Sequence, residues 1–204
     1  MRDVITTLRQ GSGLQASRIE EAVRLIIEAI GESPQREGLR DTPRRIAAMY
    51  EELLAGAAID PAALLEISFS EDRHDEIVVL RDVRFYSTCE HHFLPFFGSA
   101  TVAYLPDHRL TGISKLARVV EAYARRLQLQ ERLTSQVADC LMDTLQPAGV
   151  AVIVRAQHLC MAMRGVRREE SELVTTAMRG AFREDPALRQ ELFCLLDHGG
   201  NSRA

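Results

Sequence analysis

Apolar residues recur at helical spacing in several separate stretches of the chain. Ile19, Val23, Ile26, Ile27 and Ile30 form one such stripe, preceded by Ser17-Arg18-Ile19-Glu20 and followed by Gly31. Serine three residues before glutamate reads as a capping box, so the pattern predicts a helix that ends at the glycine. Thr42-Pro43 opens a second helix with proline at its favoured first position, an apolar face of Ile46, Met49, Leu53 and Leu54, and a stop near Gly56. Ser114 is positioned to cap a third, with Leu116, Val119, Val120, Tyr123 and Leu127 inward. A fourth begins near Glu131, carries Leu133, Val137, Cys140, Leu141 and Leu145 inward, and breaks at Pro147-Ala148-Gly149. Asp185-Pro186 caps a last helix through Leu188, Leu192 and Leu195. Between these lie period-two or continuously apolar stretches: Ile77–Leu80, Val83–Tyr86, Ala100 to Tyr104, and Val150 to Val154. They read as strands.

The order is helices, strands, two helices, strands, helix. Strands come as neighbours and not in strict βαβ alternation, which predicts an α+β protein. Residues 1–16, with Gly11, Ser12 and Gly13, read as a loose arm. Residues 1–65 form an N-terminal arm and helical layer, and 66–204 a second, larger part continuous with it. Cys140 and Cys194 sit among apolar neighbours and are expected in the core.

Composition narrows the function classes. The 204 residues are 46% hydrophobic and 26% charged, which fits a folded globular chain. No apolar run is long enough to span a membrane, and the first residues lack a signal-peptide core, so a cytoplasmic protein is expected. A net charge of −4 argues against non-specific nucleic-acid binding. Lys115 is the one lysine among 25 basic residues. A compact ammonium retained at a single position points to phosphate or proton work.

The densest chemistry is Ser87-Thr88-Cys89-Glu90-His91-His92, after a strand. Cys89 and His92 have C-x-x-H spacing, which lets a thiolate and an imidazole reach one metal ion. Cys160, in His158-Leu159-Cys160 beyond another strand, is a candidate third ligand. Three ligands leave the open position of a catalytic zinc, and a fourth from His91 or His158 would close the site. A zinc nucleotide deaminase needs H-x-E followed by P-C-x-x-C, which is absent. A second cluster, Gly112-Ile113-Ser114-Lys115-Leu116-Ala117-Arg118, puts a hydroxyl and two cations at a helix start and reads as an anion site without a Walker loop. Met163-Arg164-Gly165-Val166-Arg167-Arg168 adds three cations, and Gln128-Leu129-Gln130-Glu131-Arg132 offers a carboxylate for a guanine edge.

Five strings in order, E-G-L-R-D-T-P-R-R-I-A, S-T-C-E-H-H-F, G-I-S-K-L-A-R, Q-x-Q-E-R-L-T and H-x-C-M-x-M-R-G-V, resemble the GTP cyclohydrolase I family over roughly residues 35–185. The resemblance implies the tunnelling fold, an antiparallel sheet with packed helices, and a homodecamer of two stacked pentamers. It implies conversion of GTP and water to formate and 7,8-dihydroneopterin triphosphate, the entry to tetrahydrofolate and other pterins. It implies Zn2+ on Cys89, His92 and Cys160, and proton transfer by His91 and His158. Glu131, with Gln130 beside it, matches the guanine anchor. Ser114, Lys115, Arg118, Arg164 and Arg45 match triphosphate contacts.

The chain departs from the family pattern at Ala48 and Ser99, where lysines are usual, and in the charged run Arg167-Arg168-Glu169-Glu170. Two other readings compete. One is a non-catalytic, zinc-containing oligomer that binds a purine or pterin. The other is a nitrile reductase of the same fold, which uses a cysteine without zinc. The full set Cys89, His91, His92, His158 and Cys160 argues against both.

Overall fold

The computed structural model describes residues 13–65, 68–69 and 74–197. The chain divides between Ile59 and Asp60 into two compact units. In the first, helices α1 (Ala16–Ala29) and α2 (Thr42–Leu53) pack on each other, followed by a 3-10 turn at Ala55–Ala58. Proline stands in the first turn of α2, as its fixed φ favours. The capping box ahead of α1 does not form. Gln15 is the N-cap and Ser17 already lies inside the helix. The buried stripe is narrower than its spacing suggests: Val23 and Ile27 are covered, while Ile26 and Ile30 are exposed. On α2, Pro43 and Ala47 are buried, and Met49 is exposed.

The second unit is built on a five-stranded sheet. In chain order its strands are β2 (Val78–Cys89), β3 (Pro95–Leu105), β5 (Leu127–Gln128), β6 (Gly149–His158) and β7 (Leu173–Gly180). Their order across the sheet is β5-β2-β3-β6-β7, antiparallel except for the β2·β5 pair. A small separate sheet pairs β1 (Ser68–Phe69) with β4 (Leu110–Thr111). The two strands expected at 77–80 and 83–86 are one strand. The register shifts between Leu80 and Val83, where Asp82 takes φ 56°, and this bulge looks like a break in the alternation. Strand β7 carries too few periodic apolar positions to stand out in the sequence.

Helices α3 (Ile113–Ala124) and α4 (Gln130–Leu145) cover one face of the sheet. Leu116, Val119, Val120, Leu133, Val137, Leu141 and Leu145 meet Phe85, Phe96, Val102, Tyr104, Val150, Val152 and Val154 there. A short helix α5 (Leu159–Ala162) follows β6. The other face, at Ala103 and Ala151, is covered by Phe182 and Leu192 from α6 (Ala181–Glu184) and α7 (Pro186–Asp197). Cover on both faces explains why Val150 to Val154 is continuously apolar and does not alternate.

The sequence expectation for α3 needs two corrections. Its N-cap is Gly112, so Ser114 sits in the first turn and does not cap, and Leu127 leaves the helix for β5. Asp185 caps α7 as expected, accepting from the Ala187 amide at 2.8 Å. Cys140 is buried as expected, but Cys194 is exposed on α7. The arm over 1–12, His198 and the residues after Asp197 lie outside the described residues. No helix among the described residues is long and apolar enough to cross a membrane.

Candidate active site

Strand β2 runs into β3 through a tight turn. The Cys89 amide donates to the Leu94 carbonyl at 2.9 Å, and the Phe93 amide donates back to the Cys89 carbonyl at 2.9 Å. Phe93 takes φ 56°, a left-handed conformation costly for an aromatic residue and often found where a site imposes it. The Glu90 amide donates to the Gln128 carbonyl at 3.1 Å, which ties the turn to β5. The turn therefore projects the Cys89, His91 and His92 side chains from a closed backbone.

Strand β6 pairs with β3 so that His158 lies opposite Phe96, next to this turn. Two residues further, in the first turn of α5, Cys160 brings its sulfur to 3.9 Å from the Cys89 sulfur. His92 Nδ1 stands 4.0 Å from Cys89 Sγ, and one ligand atom from each of Cys89, His92 and Cys160 fits within 4.8 Å. A tetrahedral ion with bonds of about 2.3 Å to sulfur and about 2.0 Å to nitrogen separates two sulfurs by about 3.8 Å, and sulfur from nitrogen by about 3.5 Å. The sulfur–sulfur separation matches that geometry closely, the Cys89–His92 separation is about half an ångström longer, and all three ligand atoms lie within 4.8 Å. The donor set agrees as well. Burial, and then the neighbouring Cys89 sulfur, push the Cys160 thiol up. Two thiols so placed favour a divalent cation that takes the place of their protons.

His91 and His158 do not join this cluster. His91 is exposed, its ring 6.2 Å from the His92 ring and inclined at 81° to it. His158 stacks on Phe96 with centroids 4.6 Å apart, and its Nε2 lies 2.8 Å from Gln130 Oε1. Burial lowers the pKa of His158, and the nearby Glu131 charge acts in the opposite direction.

Helix α4 supplies the wall beside His158. Glu131 is exposed in its first turn. Gln130 is 1% exposed, and its amide nitrogen reaches the carbonyls of Val154 at 3.1 Å and Leu173 at 2.9 Å. Ser114, Lys115 and Arg118 lie in the first turns of α3, with Ser114 the most open. Arg164 is exposed after α5, and its guanidinium donates to His92 Nε2 at 3.1 Å. Arg45 belongs to the first unit, where it is exposed and 3.7 Å from Asp41.

Several partners escape a reading of the sequence. Arg132 forms a two-pronged ion pair with Glu90, one contact at 3.0 Å, which links the start of α4 to the turn that carries Cys89 and His92. Thr134 donates to the Gln130 carbonyl at 2.7 Å, and Thr175 on β7 touches both. Thr134 is four residues after Gln130 and so on its helix face, which the sequence does signal. Nothing local signals Thr175 or the pairing of Arg132 with Glu90.

The hydrogen bonds from Arg132 hold the Glu90 carboxyl below the usual carboxylate range. A carboxyl with a lowered folded pKa stabilises the protein above its unfolded value, and that contribution is lost as pH falls through the folded pKa. The difference in Tm between wild type and Glu90→Gln is therefore expected to be open at neutral pH and to close on acidification. Added salt should also reduce it, because the two side chains are 42% and 28% exposed. A gap that widens toward acid would give the pair the opposite sign.

The family model described as GTP cyclohydrolase I matches residues 19–197. The GTP cyclohydrolase 1 of Carboxydothermus hydrogenoformans is 55% identical over 182 residues, covering 89% of this chain and 94% of that protein. That of Pelotomaculum thermopropionicum is 56% identical over 180 residues, covering 88% and 95%. That of Geobacillus kaustophilus is 55% identical over 181 residues, covering 88% and 96%. A solved structure, the archaeosine synthase QueF-Like in its apo form, overlaps 53% of this chain and 97% of that one with TM-score 0.42 and 21% identity. The family match covers most of the chain and includes every element that contributes to the cluster, and the relatives align over a comparable length. The chain belongs to the GTP cyclohydrolase I family.

Proposed function

We propose that this protein hydrolyses GTP to formate and 7,8-dihydroneopterin triphosphate, using zinc held by Cys89, His92 and Cys160. The observation that carries this reading is the meeting of those three ligand atoms within 4.8 Å, beside a half-buried histidine, in a chain of this family. Zinc supplies Lewis acidity and hydroxide at neutral pH, which suits attack on the electron-poor C8 of guanine. His158 and His91 move protons as the imidazole ring opens. Glu131, next to Gln130, accepts from N1–H and the 2-amino group of guanine, a donor pair that adenine lacks. Ser114, Lys115, Arg118 and Arg164 take the triphosphate, the first three with the amides of an α-helix start. Arg45, in the N-terminal layer of residues 1–65, is a further candidate triphosphate contact, and residues 66–204 form the catalytic part.

The same reading gives a cytoplasmic homodecamer of two stacked pentamers. Exposed Leu25, Ile26 and Ile30 on α1, and the edge of β7, unpaired among the described residues and carrying exposed Val174, support burial against further copies.

The test is turnover by metal-replete protein, followed as formate release and as fluorescence of the oxidised pterin, with ATP as the control and Glu131→Ala alongside. Both products are expected from GTP and neither from ATP. The variant should raise KM for GTP by roughly 10- to 100-fold, equivalent to loss of a charged hydrogen-bonding pair. GTP binding without formate would replace this reading with that of a purine-binding protein.

A further inference from the structure

The polar atoms around Gln130 fix its orientation without ambiguity. Val154 and Leu173 present carbonyl oxygens to one end of the side-chain amide, at 3.1 and 2.9 Å. Carbonyls only accept, so that end is the NH2 group. Thr175 Oγ1, at 3.2 Å, lies on the same side. The threonine hydroxyls reinforce this arrangement. Thr134 spends its proton on the Gln130 carbonyl, so in the 2.6 Å contact between the hydroxyls Thr175 donates to Thr134. The Thr175 oxygen thereby remains an acceptor toward the amide. The opposite end of the amide is then an oxygen, and it lies 2.8 Å from His158 Nε2. An oxygen at that distance needs a donor, so Nε2 carries the proton.

We infer that Gln130 is a positioning residue that fixes the His158 ring through Nε2–H donation to its amide oxygen, and so presents Nδ1 as the acceptor nitrogen on the opposite side of the ring. The buried Phe96 ring, parallel to the imidazole within 1°, fixes the plane in which this happens. The donor contacts to β6 and β7 prevent the amide from turning over. Gln130 acts through His158, and its side chain is too enclosed to meet the guanine itself. A neutral histidine free to exchange tautomers would spend part of its time with the wrong nitrogen protonated.

The inference rests on the proposed function only for its effect on turnover, and its first test does not involve GTP. Zinc-replete protein labelled with 15N,13C-histidine is studied by solid-state NMR at a pH where the ring is neutral, with His158 assigned by its loss in His158→Asn. Wild type is expected to show one species, protonated at Nε2. Gln130→Leu should show a mixture of tautomers. Gln130→Glu should restore the single species, because a carboxyl oxygen also accepts from Nε2–H. Thr175→Val removes a contact on the donor side only and should leave the tautomer unchanged. In turnover, Gln130→Leu should lower kcat by about 10- to 100-fold, the size of loss that removal of an orienting partner brings, with KM for GTP unchanged. If that variant does not fold, the NMR of wild type and Gln130→Glu decides. A wild-type ring protonated at Nδ1 overturns the inference, as does a mixture in Gln130→Glu, or a raised KM with the tautomer intact in Gln130→Leu. A single Nε2-protonated species in a wild type that releases no formate would leave the lock standing and sink the proposed function.

Discussion

Replacing Cys160 by alanine is expected to abolish metal retention and GTP turnover while leaving the fold in place. Cys160 is partly exposed and lies at the start of a four-residue helix, so the truncation opens no large core cavity. What it removes is one of three ligand atoms that meet within 4.8 Å. Loss of an outer partner to a metal ligand costs roughly 10- to 100-fold in affinity or activity, and loss of the ligand itself should exceed that. Zinc per chain, measured after dialysis against a weak chelator, should fall from near one to near zero, with the circular dichroism spectrum unchanged. Full retention of zinc in Cys160→Ala would remove Cys160 from the ligand set. It would also require a fourth group, His91 or His158, to be brought in from its present position.

The largest expected effect on stability lies away from this chemistry, at Gly98. It stands in β3 between Phe85 on β2 and Ala156 on β6, in the middle of the sheet. A Cβ at Gly98 falls 1.9 Å from the Arg155 carbonyl oxygen and 2.7 Å from the Ala156 Cα. Both obstacles are backbone atoms of a paired strand and no side-chain rotation relieves them. Gly98→Ala must separate β3 from β6, which breaks the ladder that carries His158 toward the turn that carries Cys89 and His92. A cost of about 4 kcal/mol or more is expected, out of a total near 5–15 kcal/mol for a domain. The readout is the fraction of expressed protein that stays soluble, and its Tm. A variant within a few degrees of wild type would show that the strands separate more easily than this packing allows.

Most of the architecture was legible because it follows from periodicity. The inward residues of α4 are those that recur every three or four positions, and Val150 to Val154 is apolar throughout because both faces of β6 are covered. Errors arose where a local signal met a tertiary constraint. Ser17 and Ser114 are good caps by type, yet Gln15 and Gly112 hold those positions, since packing decides where each helix starts. Leu127 fits the stripe of α3 but pairs with Thr88 as a strand residue. The chemical residues were legible as types and spacings, with Cys89 and His92 on one turn. That Cys160 would reach Cys89 depends on the β3–β6 register, which no local pattern encodes. The role of Gln130 was less legible still, because its partners come from β6 and β7 and only a three-dimensional arrangement brings them to one amide.

Those partners also impose a timetable. Gln130 reaches 24 residues ahead to Val154 and 43 ahead to Leu173, and Cys89 meets a sulfur 71 residues further on. Contacts of such separation must overcome the entropy of closing long loops, so they form late in folding. Synthesis runs from the N-terminus, and the β2–β3 hairpin with Cys89, His91 and His92 leaves the ribosome well before Thr175 exists. The two halves of the site therefore mature in sequence. A nascent chain halted before Leu173 already owns the turn that carries Cys89, while the amide of Gln130 still lacks a carbonyl it needs to hold His158 in place.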